Sequence, residues 1–386
     1  MRSFSRDNWL TPPYNRESFQ QVQSLFPTAR LRKGAAEPTA WGVDPHPIDH
    51  ISFRGTDREQ YTLPEFIAAT QTDALLIMRE GKLIFEQYGN GMQADSLHLI
   101  NSISKTFTGM LTGILVGDGL LDPAAPLTDY VPDFVGTAMQ GTTLDQALNM
   151  TGAVTFSEDY ASPRDDFWIE TAVLGWRPDL ASKAGTTSLK RYAYSRTETD
   201  QPNGGHLHYR TLLTNVVAMA IEGATGTPVQ GLMEQRLWQK LKPEYEANIV
   251  LDAEGFPYCG AGISATARDL MRFGQMLLED GMVDGEQVVS ANWVQATRNG
   301  NERLRQLFAE TDYAPMFDNG HYSNQTWASA SEGLLVCIGI YGQTIYVHQP
   351  SGMVIVKLST HPAPADDHAY ANTFQAMRAL VSGLTN

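Results

Sequence analysis

Two cysteines in 386 residues, Cys259 and Cys337, leave no disulfide framework and no cysteine-rich zinc site. Basic residues are also scarce. Lys and Arg number 28 against 43 Asp and Glu, a formal net charge of −15. Nucleic acid and anionic membrane both select clustered positive charge, so neither is expected as a partner. No uninterrupted apolar run reaches the ~20 residues of a membrane span. The start, Met1-Arg2-Ser3-Phe4-Ser5-Arg6-Asp7-Asn8-Trp9, lacks the apolar core of a signal peptide, which points to a cytoplasmic protein. Internal repeats and low-complexity tracts are absent too.

The chain is long enough, at 386 residues with 42% apolar content, to bury a large core in one elaborate domain or two intimate subdomains. Residues 1–60 show little periodicity and read as an irregular arm on the body. Ala74–Met78 and Leu83–Tyr88 flank Arg79-Glu80-Gly81-Lys82, a β-hairpin pattern. An apolar helix follows from Ser102, stopped at Gly119-Leu120-Leu121-Asp122-Pro123. Thr266-Ala267-Arg268-Asp269 resembles a capping box and opens another helix. Three strand-like runs, 334–341, 344–348 and 353–358, precede a final helix with Tyr370, Phe374, Met377 and Val381 at helical spacing. This order fits an α+β architecture: an antiparallel sheet built from both chain ends and flanked by helices. A helical subdomain, roughly 96–250, would be inserted into an α/β region of 61–95 and 251–386.

Ser102-Ile103-Ser104-Lys105 carries the chemistry. Residues three apart share a helix face, so Ser102 and Lys105 present a hydroxyl and an amine side by side. A serine hydroxyl needs a base to become nucleophilic. A lysine becomes that base when burial lowers its pKa. A capping serine followed by a solvated lysine would give the same spacing. Here the motif runs straight into an apolar segment, which places the helix N-terminus at a cleft.

Acyl transfer also needs a proton shuttle and oxyanion donors. Tyr209, after the turn Asn203-Gly204-Gly205, is the candidate shuttle, its phenol pKa lowered by nearby Lys105. The strand Cys337-Ile338-Gly339-Ile340-Tyr341-Gly342-Gln343 is the candidate for the donors, because glycine admits close backbone approach. A half-buried tyrosine and a glycine bulge are the plain alternatives. His206-x-His208 lacks a third ligand, so no metal is expected, and His208 is placed beside Tyr209. His361, Asp366, Asp367 and His368 read as a solvated turn and helix cap.

Ser102-x-x-Lys105, Gly119-x-x-Asp122 and Pro126-x-Thr128-Asp129-Tyr130-Val131-Pro132 resemble serine β-lactamases of class C type and penicillin-binding proteins. Several segments are more similar to 6-aminohexanoate-dimer hydrolases and related carboxylesterases. These are Asp7–Arg16, Ser157–Tyr160, Ser264–Leu270 and Gly339–Gln343, followed by Val354–Ser359. The resemblance implies a β-lactamase/transpeptidase-like fold without metal or cofactor. It implies Ser102 as nucleophile, Lys105 as its base and Tyr209 as second catalytic residue. The backbone amides of Ser102 and Ile340 would form the oxyanion hole, and Tyr160, Trp327 and Gly260 would contact substrate. Two features depart from these families. The Lys-Thr-Gly strand motif of β-lactamases is replaced by Cys337-Ile338-Gly339. Thr171 and Gly260 stand where nylon-active members carry an acidic and a polar residue.

The expected activity is hydrolysis of a small ester or linear amide through an acyl-enzyme. A β-lactamase or D-Ala-D-Ala carboxypeptidase, and a catalytically silent binding protein, are the alternatives. A homodimer is left open.

Overall fold

The computed structural model describes residues 4–385. Its main sheet has eight strands in the order Gly320–Ser323, Thr326–Ser329, Leu334–Gly339, Gln343–His348, Met353–Ser359, Thr72–Arg79, Lys82–Tyr88 and Gly42–Val43. All neighbours are antiparallel except the last pair. The two chain ends meet in its middle, where Val354 pairs with Met78 and Val356 with Leu76. Both strands are buried at almost every position because both faces of the sheet centre are covered. The helix Ala267–Leu278 lies against it, with Gly274 close to Val354 and Ile345. The terminal helix Asp367–Thr385 reaches the sheet through Tyr370, whose hydroxyl donates to the Gly339 carbonyl at 2.8 Å.

A second sheet positions the functional residues. It orders Thr28–Leu31, Ala247–Val250, Ile263–Ala265 and His98–Leu99, all antiparallel. Its last strand runs directly into the helix Ile103–Gly117. The segment 1–60, aperiodic in sequence, thus supplies Thr28–Leu31 to this sheet and Gly42–Val43 to the other. Short strands held by tertiary pairing need no periodicity of their own. Between residues 103 and 241 the chain is helical, with Thr211–Thr225 as the other long helix.

Thr266 caps its helix by accepting from the Asp269 amide at 3.2 Å. Asp269 does not return the bond to the Thr266 amide, as a capping-box Glu would. Its shorter carboxylate takes the Glu244 and Tyr245 amides instead, at 2.6 and 3.1 Å.

The helix Ile103–Gly117 is buried from Ile103 to Leu115. Gly109 and Gly113 fall on the face met by the Asn324 backbone and the Trp293 ring. A Cβ on Gly109 would lie 2.1 Å from the Asn324 carbonyl oxygen, and one on Gly113 would lie 2.4 Å from the Trp293 ring. Gly109→Ala, stabilising in an isolated helix, is expected here to cost about 1–3 kcal/mol through overpacking. Urea unfolding measures it, and an unchanged or raised midpoint would refute the packing account.

Candidate active site

The strand His98–Leu99 ends in Asn101, which holds a left-handed backbone with φ of 47°. Asparagine tolerates that region better than most residues. The turn aims Ser102, the residue before the first helical position, into a cavity of about 480 Å³. The Asn101 side-chain amide donates to the Ile340 carbonyl at 3.0 Å. Ile340 borders the same cavity, so this bond ties together the two segments expected to form the oxyanion hole.

Lys105 is fully buried. Its Nζ donates to Ser102 Oγ at 2.8 Å and to the Gly260 carbonyl at 2.9 Å. Burial lowers its pKa to about 8, although the charges of Glu158 and Glu170 pull the other way. Gly260 therefore holds the lysine and does not border the cavity. The expectation of a substrate contact is corrected to a backbone one. A Cβ at Gly260 would lie 2.5 Å from Thr211 Cγ2, so a side chain there would push this carbonyl away.

Tyr209 and Ser102 border the same cavity. The expected lowering of the Tyr209 pKa is reversed: burial, then neighbouring Tyr322 and Glu158, hold the phenol well above its usual value. The Lys105 Nζ lies over the ring face, 4.9 Å from its centroid. Tyr209 is thus a neutral phenol able to pass a proton on. Its ring stacks on Trp327 at 5.2 Å, and Trp327 forms part of the cavity wall.

Arg210-Thr211 explain how Tyr209 is held. The fully buried Arg210 guanidinium donates to the Gly152 and Phe156 carbonyls at 2.8 and 3.2 Å, and to Asp200 at 2.6 Å. Thr211 donates its amide and hydroxyl to Glu158, at 2.5 and 2.7 Å. The same carboxylate takes the Tyr160 hydroxyl at 2.6 Å. Tyr160 borders the cavity with that hydroxyl engaged. His208, by contrast, is exposed and does not reach the cavity. His206 meets Glu310 at 3.2 Å on the surface.

Sequence reasoning missed two carboxylates. Glu158, raised by burial, is joined by Glu170, which is completely buried and pushed to about 8 by desolvation. Glu170 takes the Asn215 amide at 3.1 Å. It directly precedes Thr171, itself buried and engaged with the Trp168 carbonyl. Neither Glu lies at a motif spacing from Lys105. Also unforeseen is Arg378, a cation on the cavity wall, but it is spent on Glu332 at 3.3 Å and on the Met316 carbonyl. From the strand that replaces Lys-Thr-Gly, apolar Ile338 faces the cavity.

A second lysine–serine contact, Lys357 Nζ with Ser359 Oγ, lies wholly buried in the main sheet and borders no part of this cavity. His361, expected in a solvated turn, is buried 3.5 Å from Lys357, and burial drives its pKa down to about 2. Asp366 does cap the last helix, accepting from the Ala369 amide at 2.9 Å. No group of three or more His, Cys, Asp or Glu among the described residues could hold a metal ion. No described helix is long and apolar enough to cross a membrane.

The profile of the beta-lactamase family matches residues 63–379. The chain belongs to the beta-lactamase family. Within it, the chain is 33% identical to the 6-aminohexanoate-dimer hydrolase of Paenarthrobacter ureafaciens over 94% of its length and 89% of the relative's. Among solved structures it is similar to a Bacillus anthracis protein provisionally assigned as a 6-aminohexanoate-dimer hydrolase. That match has a TM-score of 0.87 and 24% identity, covering 99% and 98% of the two chains. A family VIII carboxylesterase matches with a TM-score of 0.56 and 14% identity, over 80% of this chain and 92% of that one. These structures share the fold, the β-lactamase-like arrangement of a sheet flanked by helices.

Replacing Arg210 by Met removes the side-chain donor to the Phe156 carbonyl and the ion-pair partner of Asp200, and leaves the Gly152 carbonyl with Gln201 alone. Arg210→Met is expected to lower stability by at least about 2 kcal/mol and to reduce activity by loosening Tyr209. Denaturant unfolding with a parallel kinetic assay checks both. Wild-type stability would show that Arg210 is not an anchor.

Proposed function

We propose that this beta-lactamase-family hydrolase cleaves carboxylic esters, and more weakly linear amides, with Ser102, Lys105 and Tyr209 as its catalytic set. One observation carries the reading: a fully buried lysine amine stands 2.8 Å from a serine hydroxyl on the wall of a large cavity. Neutral Lys105 takes the Ser102 proton as Oγ attacks the carbonyl carbon. The amides of Ser102 and Ile340 receive the developing oxyanion. Tyr209 gives its phenol proton to the leaving oxygen or nitrogen and is restored by the proton that Lys105 took from Ser102. Water then attacks the acyl-enzyme by the same steps in reverse. Tyr160 and Trp327 border the substrate. The similarity to a 6-aminohexanoate-dimer hydrolase supports an acyclic substrate. Two buried free cysteines agree with a cytoplasmic setting.

A fluorophosphonate probe tests the nucleophile. Wild type is expected to form a covalent adduct and Ser102→Ala none, with its circular dichroism unchanged. An adduct on Ser102→Ala would make Ser102 the wrong residue, and an inert wild type would favour a silent binding protein.

The base makes a pH prediction. Burial lowers the Lys105 pKa, so the free amine dominates above about pH 8 and falls about tenfold per unit below it. The ester kcat/KM is expected to rise with pH and level off near 8. Lys105→Arg, which keeps the charge but cannot release its proton, is expected to lose at least about a hundredfold in kcat. A flat profile down to pH 6, or near-normal Lys105→Arg, would leave Lys105 as a fixed charge only.

The substrate order is expected to be short-chain p-nitrophenyl esters, then 6-aminohexanoate dimer, then nitrocefin. An alkoxide or phenoxide leaves more easily than an amine. A β-lactam carboxylate wants a free cation, which Ile338 does not supply and Arg378 has committed to Glu332. A missing charge-assisted bond costs about 1.5–3 kcal/mol, roughly ten- to a hundredfold in rate. By the resemblance to nylon-oligomer hydrolases Tyr160 would contact the amide nitrogen of a linear amide, so Tyr160→Phe is expected to lower amide turnover more than ester turnover. A nitrocefin kcat/KM at or above the ester value would promote the β-lactamase reading.

A further inference from the structure

A second cavity, of about 540 Å³, adjoins the first. The two have a common wall. Tyr160 borders both. Ile340 borders the first and Tyr341 the second; Ala365 borders the first and Pro364 the second. The wall is firm on one side, where the Tyr341 amide donates to the Pro364 carbonyl at 2.9 Å and the His361 amide to the Tyr341 carbonyl at 3.1 Å. On the other side stands Tyr160, its ring edge-on to Phe167 at 5.0 Å.

The lining of the second cavity is mostly apolar and aromatic. Trp9, Trp168, Trp176 and Leu10 contribute, together with several prolines. Its charges are largely spent or peripheral. Arg177 is clamped by Asp179 through two bonds of 2.7 and 2.8 Å and also meets the Pro163 carbonyl. Arg6 gives its Nε to the Leu25 carbonyl, and both Arg6 and Asp7 are exposed. A cavity of this size and character suits an uncharged apolar group.

A carbonyl carbon on Ser102 Oγ sends two arms away from it, and an arm that outgrows the first cavity meets the second at Tyr160. We propose that the second cavity receives the far end of one arm of the substrate, an uncharged alkyl or arylalkyl chain that runs past Tyr160. The substrate class is then an extended ester or amide with chains on both sides of the scissile bond. This rests on the serine-hydrolase reading above and specifies its substrate. The second cavity lies in the trough between the N-terminal segment around Trp9–Pro12 and the loop 160–163, so the aperiodic start of the chain takes part in specificity.

The test fills the cavity from opposite walls with two variants, Ala161→Trp and Leu10→Trp, neither of which touches the first cavity. Two ester series are compared by kcat/KM, one lengthening the acyl chain from acetyl to 6-phenylhexanoyl and one lengthening the alcohol from methanol to 6-phenylhexanol. Each long-chain value is divided by that of methyl acetate on the same variant, so a folding defect cancels. In one series the long-to-short ratio is expected to fall at least about tenfold in both variants. Ratios within twofold of wild type in both series would overturn the proposal. If wild type cleaves no ester, the hydrolase reading fails, and the cavity is judged by calorimetric titration with 4-phenylbutan-1-ol. Binding weakened at least fivefold by either variant upholds the cavity as an apolar-chain site; no binding, or equal binding by all three proteins, overturns it.

Discussion

A lysine amine kept dry against a serine hydroxyl is the constraint on which the rest of this structure depends. Water at Lys105 would restore its ordinary pKa and leave it charged, unable to take a proton at neutral pH. Dryness has structural requirements. The helix that carries Lys105 must be buried on all sides, and two glycines let Trp293 and the Asn324 backbone close against it. The Gly260 carbonyl supplies the second partner that a buried amine needs, and only a residue without a side chain lets it come within 2.9 Å past Thr211.

Burying one amine changes its surroundings. Glu158 and Glu170 share that low-dielectric region, and burial raises both while their charges oppose the lowering of Lys105. Glu158 also connects parts that are distant in sequence. It receives the first amide of the helix Thr211–Thr225 and the hydroxyl of Tyr160, so the residue that precedes that helix by two and the residue at the cavity border are fixed to one carboxylate. Arg210 completes the anchorage from the other side. Tyr209 is thus held both through its neighbours in the chain and through its ring, which packs on Trp327 and Tyr322.

Much of this was legible in the chain. Apolar runs marked the strands at the sheet centre, and the hairpin 72–88 and the terminal helix stand where their patterns placed them. Ser102 and Lys105 were legible because helical spacing alone brings them together. Trp327 and Tyr160 came from resemblance, and both border the cavity. What failed did so for physical reasons. His208 follows a glycine turn as Tyr209 does, but adjacent residues in extended backbone point to opposite sides, and it faces solvent. The Tyr209 pKa was expected from proximity to a cation, whereas burial decides it. Glu158 lay within the recognised segment Ser157–Tyr160 with no role assigned, and Glu170 left no signal, since a carboxylate that meets its partners only after folding has no characteristic spacing.

The sequence by itself determined the local facts: which segments are buried strands, where the helices begin and stop, and that a serine and a lysine share one helix face. Those follow from periodicity, capping and short-range geometry, which need no knowledge of the rest of the chain. Only the tertiary structure decided the chemistry. The desolvation that lowers Lys105, the Gly260 carbonyl that holds it, the neutral state of Tyr209 and the second cavity beyond Tyr160 all arise from segments more than fifty residues apart packing around one point. Proton affinity and cavity shape are properties of an environment, and the environment exists only once the chain is folded.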